Sequence, residues 1–281
     1  MHSQHEKAQR FRALHERPGA FLIPNVWDGG SAAAMAGLGF EALATSSAAC
    51  AATLGKLDGE VTREEALAHA RLLAALSPLP VAADLEKGFG DSPEIVAETI
   101  RLAGEAGLVG GSIEDASGEA RTPIYPLAQA VERVAAAAAA AHRLPFPFLL
   151  TARAENFLHE RPDLEDTVRR LQAFERAGAD VLFAPGLPDL AAVRTVCSAL
   201  TRPVNFMVGI RGKSFTVADL AQAGVRRISL STSLYRAAIT GLIAAAREAR
   251  EAGRFGYVES IVQGDEIGRY LKAQAAGRES S

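Results

Sequence analysis

Asp84 and Glu86 stand two residues apart at the end of an apolar run, and Glu114-Asp115 close the next one. On a β-strand a spacing of two sends both side chains to one face. Carboxylates brought together from neighbouring strands repel one another unless a cation or protons intervene. Two arrangements relieve that repulsion. A hard divalent ion such as Mg2+ takes oxygen ligands and keeps several waters. Alternatively the acids form salt bridges with Arg153 or Lys87. Lys87-Gly88-Phe89-Gly90-Asp91-Ser92 then leads into a helix, either as an anion cradle or as a plain turn, and it is not a Walker A motif. Gly209-Ile210-Arg211-Gly212-Lys213-Ser214 poses the same choice between a phosphate loop and a solvated turn.

Other chemistries find no support in the 281 residues. The six histidines form no His-x-His or His-Glu-x-x-His, so a zinc enzyme is not expected. No Gly-x-Ser-x-Gly elbow occurs, which argues against a serine hydrolase. Two cysteines, Cys50 and Cys197, give no disulfide framework, and the apolar Ala48–Ala52 setting reads Cys50 as a small buried hydrophobe. A net charge of −3 argues against a nucleic-acid partner. The N-terminus lacks an apolar signal region, and the alanine-rich Val134–Ala141 stretch is too short to span a bilayer. A cytoplasmic protein with no membrane partner is expected.

Short apolar runs that must position these groups alternate with amphipathic stretches. Strands are predicted near Phe21–Asp28, Ala42–Ser47, Val81–Glu86, Gly110–Asp115, Phe148–Glu155, Val181–Gly186, Val204–Val208 and Arg227–Ser231. Their starts are spaced by about 29 residues, the length of a strand–helix unit. Ser92-Pro93, Thr62-Arg63-Glu64-Glu65 and Thr216 read as helix starts. Eight such units, with polar residues gathered where strands end, predict a (β/α)8 TIM barrel, class α/β, over residues 1–281. Residues 1–20 form an N-terminal lead. A helix from about Leu234 to Glu251 ends at Gly253, and residues 254–281 form a C-terminal extension with a helix near Tyr257–Ala275. Its stripe of Ile261, Ile267, Tyr270 and Leu271 needs a partner surface. Gly277 to Ser281 is expected to fray.

Asp84-Leu85-Glu86-Lys87-Gly88-Phe89-Gly90, then Gly111-Ser112-Ile113-Glu114-Asp115, then Ala152-Arg153-Ala154-Glu155 resemble the isocitrate lyase / phosphoenolpyruvate mutase superfamily, from about Phe21 to Glu259. The resemblance implies a (β/α)8 barrel that binds Mg2+ or Mn2+ and a small α-oxo or α-hydroxy carboxylate. It implies a metal shell of Asp84, Glu86 and Glu114, some of them through water. Asp58 stands where the family has an acid after the second strand. Ser46, with the backbone of Ser47 and Ala48, resembles the cradle of the oxo-acid head, and Arg153 the clamp on a carboxylate or developing oxyanion. Trp27, Glu155 and Asn205 resemble further mouth residues. The family also implies a homodimer or homotetramer that exchanges C-terminal helices.

One departure matters. Many lyases of this superfamily carry Lys-(Lys/Arg)-Cys-Gly-His just after the Glu-Asp pair, and its cysteine protonates the leaving carbanion. Here the segment reads Ala116-Ser117-Gly118-Glu119-Ala120-Arg121-Thr122-Pro123-Ile124-Tyr125-Pro126. The lysine and asparagine of the mutases and phosphonate hydrolases are missing as well. The segment still resembles a gate, with Glu119, Arg121 and Tyr125 as the donors it would bring. The expectation is a Mg2+-dependent lyase that cleaves a C–C bond of a di- or tricarboxylate, by retro-aldol or Claisen cleavage or by decarboxylation, through a metal-stabilised enolate. Asp58, Arg153 and Glu155 are the catalytic candidates. The alternatives are a metal-dependent α-oxo acid binding protein with lost catalysis and a phosphonopyruvate-type P–C bond hydrolase.

Overall fold

A computed structural model describes residues 2–279. All eight expected strands are present: β1 (Phe21–Ile23), β2 (Leu43–Ala44), β3 (Val81–Asp84), β4 (Gly110–Glu114), β5 (Leu149–Arg153), β6 (Val181–Phe183), β7 (Val204–Met207) and β8 (Arg227–Ser229). They pair in parallel in the order β1-β8-β7-β6-β5-β4-β3-β2. A parallel bridge between Asn25 and Ala44 joins the two edges. The result is the (β/α)8 barrel. Each strand is shorter than the run predicted for it. Asp84, Glu114 and Arg153 are last residues of strands, whereas Ser46, Glu86 and Glu155 sit on βα turns.

The helices follow their caps. α1 (Gln4–Glu16), α2 (Gly29–Gly37), α3 (Ser47–Thr53), α4 (Arg63–Leu76), α5 (Pro93–Glu105), α6 (Leu127–His142), α7 (Leu164–Arg176), α8 (Leu190–Ser198), α9 (Val217–Gln222) and α10 (Ser233–Arg247) precede a last helix, α11 (Gly264–Glu279). Thr62 and Glu65 form the expected reciprocal capping box on α4, and Ser92 caps α5 with Pro93 in its first turn. The alanine run lies inside α6, where Ala137, Ala138, Ala140 and Ala141 are buried. Alanine's good helix propensity and small side chain suit both roles.

Two terminal features differ from expectation. The N-terminal lead is a helix, α1, with a Ser3–Glu6 capping box. It lies across the strand-start end of the barrel. Ala8, Phe11 and Leu14 form a second core there with Phe21, Ile23, Ala42, Ala82, Val109 and Leu149. Lys7 pins it by donating to the carbonyls of Ala74 (3.2 Å) and Ser77 (2.6 Å) at the end of α4. At Gly110 a Cβ would come within 2.9 Å of both the Leu149 carbonyl and the Phe11 ring, so α1 approaches over a bare backbone.

At the other end, α10 continues as a wide turn over Glu248–Ala252 and stops at Gly253 in the left-handed region, as expected. The next helix starts at Gly264 rather than near Tyr257. Residues Gly256–Glu259 make only a tight turn, and Ile261 falls outside the helix. Gly256 and Gly264 account for the interruption, since glycine is a poor helix former. α11 packs on α2, with Tyr270 against Gly37. It runs to Glu279, and Ser280 and Ser281 of the expected frayed tail lie outside the described residues. Among the described residues no helix is long and apolar enough to cross a membrane.

Candidate active site

A cavity of about 240 Å3 opens at the strand-end face of the barrel. Its walls include Ser46, Ser47, Ala48, Asp58, Asp84, Arg153 and Asn205, which the sequence singled out, and also Ser112, Thr151 and Arg227, which it did not.

Arg153 is the centre of the charge arrangement. From the last position of β5 its Nη1 donates to Asp84 at 3.0 Å, its Nη2 lies 3.1 Å from Glu114, and its Nε donates to Glu155 at 2.8 Å. The guanidinium also faces the Phe183 ring, 5.3 Å from the centroid. One cation thus meets three carboxylates on β3, β4 and the turn after β5. The salt-bridge alternative is realised with Arg153. Lys87 pairs elsewhere, with Asp91 at 2.9 Å and the Ser117 carbonyl at 2.7 Å.

The acids are not equivalent. Asp84 is fixed from several sides. Its backbone N–H donates to Thr45 Oγ1 at 3.0 Å, and its carboxylate accepts from Ser47 N and Ser112 Oγ, both at 3.3 Å. Glu86 does not continue the strand. β3 ends at Asp84, and Glu86 takes φ 49°, a left-handed conformation rare for a side-chain-bearing residue. The two-residue spacing therefore does not give a shared strand face. Glu86 instead meets Asp84 across a small space lined by Ser47, Cys50, Val61 and His69. Burial, then the charges of Asp84 and Asp58, push its carboxyl up to about 7. Burial likewise raises Glu114 well above the usual range, against the pull of Arg153. Asp58 stands at the rim. Partial removal from water raises its pKa, opposed by a hydrogen bond from Ser47.

Asp115 serves the framework. It is 3% exposed, accepts from Glu155 N at 2.8 Å and pairs with Arg170 Nη1 at 3.0 Å. That pair ties β4 and the turn after β5 to α7. Nothing in the sequence spacing marked Arg170 as its partner. Asn205 is buried and oriented: Oδ1 accepts from Arg227 Nε at 2.8 Å, and Nδ2 donates to Ser229 at 3.1 Å. Trp27 stands beside the mouth, edge-on to Tyr235 at 5.4 Å, and is not part of the cavity wall. Lys213 donates to the Gly186 carbonyl at 3.0 Å. Burial pushes the Cys50 thiol up to about 11, consistent with an inert side chain.

The segment after Asp115 is tied down. Ala116 bridges Ile124 in antiparallel fashion, Ser117 N donates to the Pro123 carbonyl at 2.9 Å, and Lys87 holds the Ser117 carbonyl. Tyr125 is buried and donates to Asp91 at 2.6 Å, with the Arg133 guanidinium 4.3 Å from its ring centroid. Tyr125 is therefore committed below the mouth, while Glu119 and Arg121 are exposed.

The oxygen donors here are carboxylates, hydroxyls and amide carbonyls, which suit a hard cation. Asp84, Glu114 and Glu155 pair with the guanidinium of Arg153, and Asp58 and Glu86 stand near them, so acids outnumber that cation. Among the described residues no three acidic, histidine or cysteine side chains converge tightly enough to enclose an ion. A fit therefore involves few direct ligands and several waters.

The phosphoenolpyruvate phosphomutase family model matches residues 11–250. A crystal structure from Burkholderia cenocepacia J2315, of a protein named no more narrowly than lyase/mutase, shares 52% identity, covers 95% of this chain and 96% of its own, and superposes with a TM-score of 0.93. An oxaloacetate decarboxylase of Ectopseudomonas mendocina is 28% identical over 89% of this chain and 87% of its own length. A 2-methylisocitrate lyase of Salmonella typhimurium is 29% identical over 84% and 82%. With the motif residues gathered at one barrel mouth and the match spanning most of its length, the chain belongs to the phosphoenolpyruvate phosphomutase family, within the isocitrate lyase / phosphoenolpyruvate mutase superfamily.

Proposed function

We propose that the chain is a Mg2+-dependent lyase, with Mn2+ as an alternative ion, that breaks a C–C bond in a small α-oxo or α-hydroxy di- or tricarboxylate. The observation that carries this is Arg153, fixed by three carboxylates at the edge of an acidic cavity of small-molecule size. Relatives named oxaloacetate decarboxylase and 2-methylisocitrate lyase support the reaction class.

Asp84 would hold the ion, with Glu86 and Glu114 reaching it through water. When bound, it supplies Lewis-acid polarisation of the substrate's carboxylate and 2-oxygen. The protein supplies the rest. Ser46, Ser47 and Ala48 form the wall against which the oxo-acid head lies. Arg153 offers a planar fork to the carboxylate or to the oxyanion that develops as the bond breaks, and it is already oriented. Glu155 holds that fork through Nε. Asp58, with its raised pKa, takes a hydroxyl proton where retro-aldol cleavage needs a base. Asn205 presents an amide fixed by Arg227 and Ser229.

Loop 116–126 brings no acid to the mouth, and this favours a carbanion that water can protonate. The same feature motivates a second reading, a metal-dependent α-oxo acid binder without turnover. Assaying the purified chain with Mg2+ against oxaloacetate and a panel of 2-hydroxy di- and tricarboxylates separates the two. Turnover that is lost with EDTA and in Asp84→Asn establishes the lyase. Calorimetric binding with no product from any substrate establishes the binder.

The unpacked surface of α10 and of the segment after it supports a homo-oligomer in which α10 serves the partner, while α11 packs on α2 of its own chain. α10 buries none of its residues, and Leu242, Phe255 and Val262 are each more than half exposed. Apolar surface of this kind marks an interface. Light scattering at micromolar concentration should give a dimer or tetramer mass, and a monomer mass would contradict the assignment.

A further inference from the structure

The floor of the cavity holds a cation that, among the described residues, no carboxylate balances. Arg227 opens β8, is 7% exposed, and lines the same cavity as Asp84 and Arg153. Its Nε donates to Asn205 Oδ1 at 2.8 Å, its Nη2 donates to Thr151 Oγ1 at 3.0 Å, and its Nη1 lies 3.4 Å from His15 Nε2. All three partners are neutral. His15 is kept so by burial and by Arg227 itself, which push its pKa down to about 3. Its Nδ1 pairs with the Phe11 carbonyl at 2.8 Å, which leaves Nε2 as an acceptor.

Other interior arginines are treated differently. Arg153 meets three carboxylates. Arg170 meets Asp115 and Asp166. Arg133 is spent on the carbonyls of Lys87, Gly90 and Asp91. On Arg227 burial acts alone and lowers its pKa only to about 9, so it remains a cation at neutral pH. A guanidinium carries five N–H groups, and the three contacts above leave donors over.

Burying an unpaired charge is costly unless something compensates it. The cavity gives an anion access to this one. Ala44, Ala82, Ala83, Gly111 and Ser112 line the way with little or no side chain. Thr151 precedes Arg153 by two residues on β5, so the two positions lie ~6.6 Å apart along the strand. Two guanidinium groups thus line one short cavity, one on Arg153 and the other bonded to Thr151, nearer the strand start. Their spacing suits a short carbon chain with an anionic group at each end.

We propose that Arg227, with Thr151 and Asn205, is the subsite for the second carboxylate of the substrate and makes the cavity selective for short di-acids over mono-acids. This rests on the reading of the cavity as an α-oxo or α-hydroxy acid site, which places the first carboxylate near Arg153. Arg227 reads the far end of the substrate and sets affinity. It takes no part in the bond-breaking step.

The test compares malate with 2-hydroxybutyrate, four-carbon 2-hydroxy acids that differ in the second carboxylate. Each is titrated calorimetrically into the Mg2+-loaded protein. Wild type should bind malate at least about 10-fold more tightly, the scale of one charge-assisted contact. Arg227→Met should bring malate to the level of 2-hydroxybutyrate and leave the latter unchanged. Thr151→Val keeps the charge and should weaken malate alone, which covers the case in which Arg227→Met does not fold. With any di-acid that turns over, Arg227→Met should raise KM without lowering kcat. Equal, measurable binding of the two acids by wild type, or an equal loss of both in the variants, overturns the floor subsite alone. Binding of neither acid by wild type overturns the reading of the cavity and the subsite with it.

Discussion

Asp84 Oδ1 accepts from Arg153 Nη1 at 3.0 Å, so the carboxylate best placed to ligate a metal is already paired with the protein's own cation. On the proposed reading an ion and a substrate would divide this pair between them, Asp84 holding the ion and Arg153 the substrate. Asp84→Asn should therefore abolish both turnover and the rise in Tm produced by Mg2+. Arg153→Lys retains the charge but loses the fork, and kcat/KM should fall by about 100- to 1000-fold. Near-normal kcat/KM in the Arg153→Lys variant would remove Arg153 from the mechanism.

Stability without metal should depend on pH through Glu86. Its folded-state pKa, about 7, lies above the ordinary glutamate value of 4.5. The folded chain holds this proton more tightly than the unfolded chain does. The stabilisation is complete below about pH 4.5 and is lost as pH rises through about 7. Asp115, pushed up to about 6 mainly by burial, acts in the same sense. Melting without divalent ions should show Tm falling from about pH 5 to pH 8, and Glu86→Gln should flatten the part above pH 6. A Tm that climbs over this range contradicts the assignment.

The buried Asp115–Arg170 pair should be expensive to halve. Arg170→Met strands a carboxylate that is 3% exposed and frees the support of Glu155. A loss of about 3–5 kcal/mol in urea unfolding is expected. A loss below about 1 kcal/mol would mean that the pair is not buried in solution.

Gly110→Ala tests the seating of α1. The new methyl would meet the Leu149 carbonyl and the Phe11 ring, both 2.9 Å away. Overpacking of this kind costs about 1–3 kcal/mol. An unchanged Tm would show that α1 does not press on β4.

Cys50→Ala should leave turnover within about two-fold of wild type, because Cys50 does not line the cavity beside Arg153 and its thiol, pushed up to about 11, is both a weak acid and a poor nucleophile at neutral pH. Large inactivation would make Cys50 the missing proton donor.

The barrel was legible because its signals are local and repeated: eight apolar runs, each followed by a capped amphipathic stretch. Asp84 and Arg153 were legible because they end strands, and strand ends converge, while Ser46, Asp58 and Asn205 came from the family resemblance. Glu86 was placed by strand periodicity on a face it does not occupy, because the chain turns left-handed there and periodicity carries no such information. Arg170 and Arg227 stayed hidden for a different reason. Each takes its meaning from partners far away in sequence, Asp115 for one and Thr151 and His15 for the other. α1 was missed because its buried positions, Ala8, Phe11 and Leu14, are spread thinly among charged residues.

That first helix also governs traffic. By closing the strand-start end, α1 makes the cavity a blind well with one doorway, shared by everything that enters or leaves. If the proposed bond cleavage takes place there, the two fragments of one substrate would depart in sequence, the deeper one last. Steady-state product inhibition should reveal this order. The fragment nearer the floor should compete with substrate for the empty enzyme, and the fragment nearer the mouth should not.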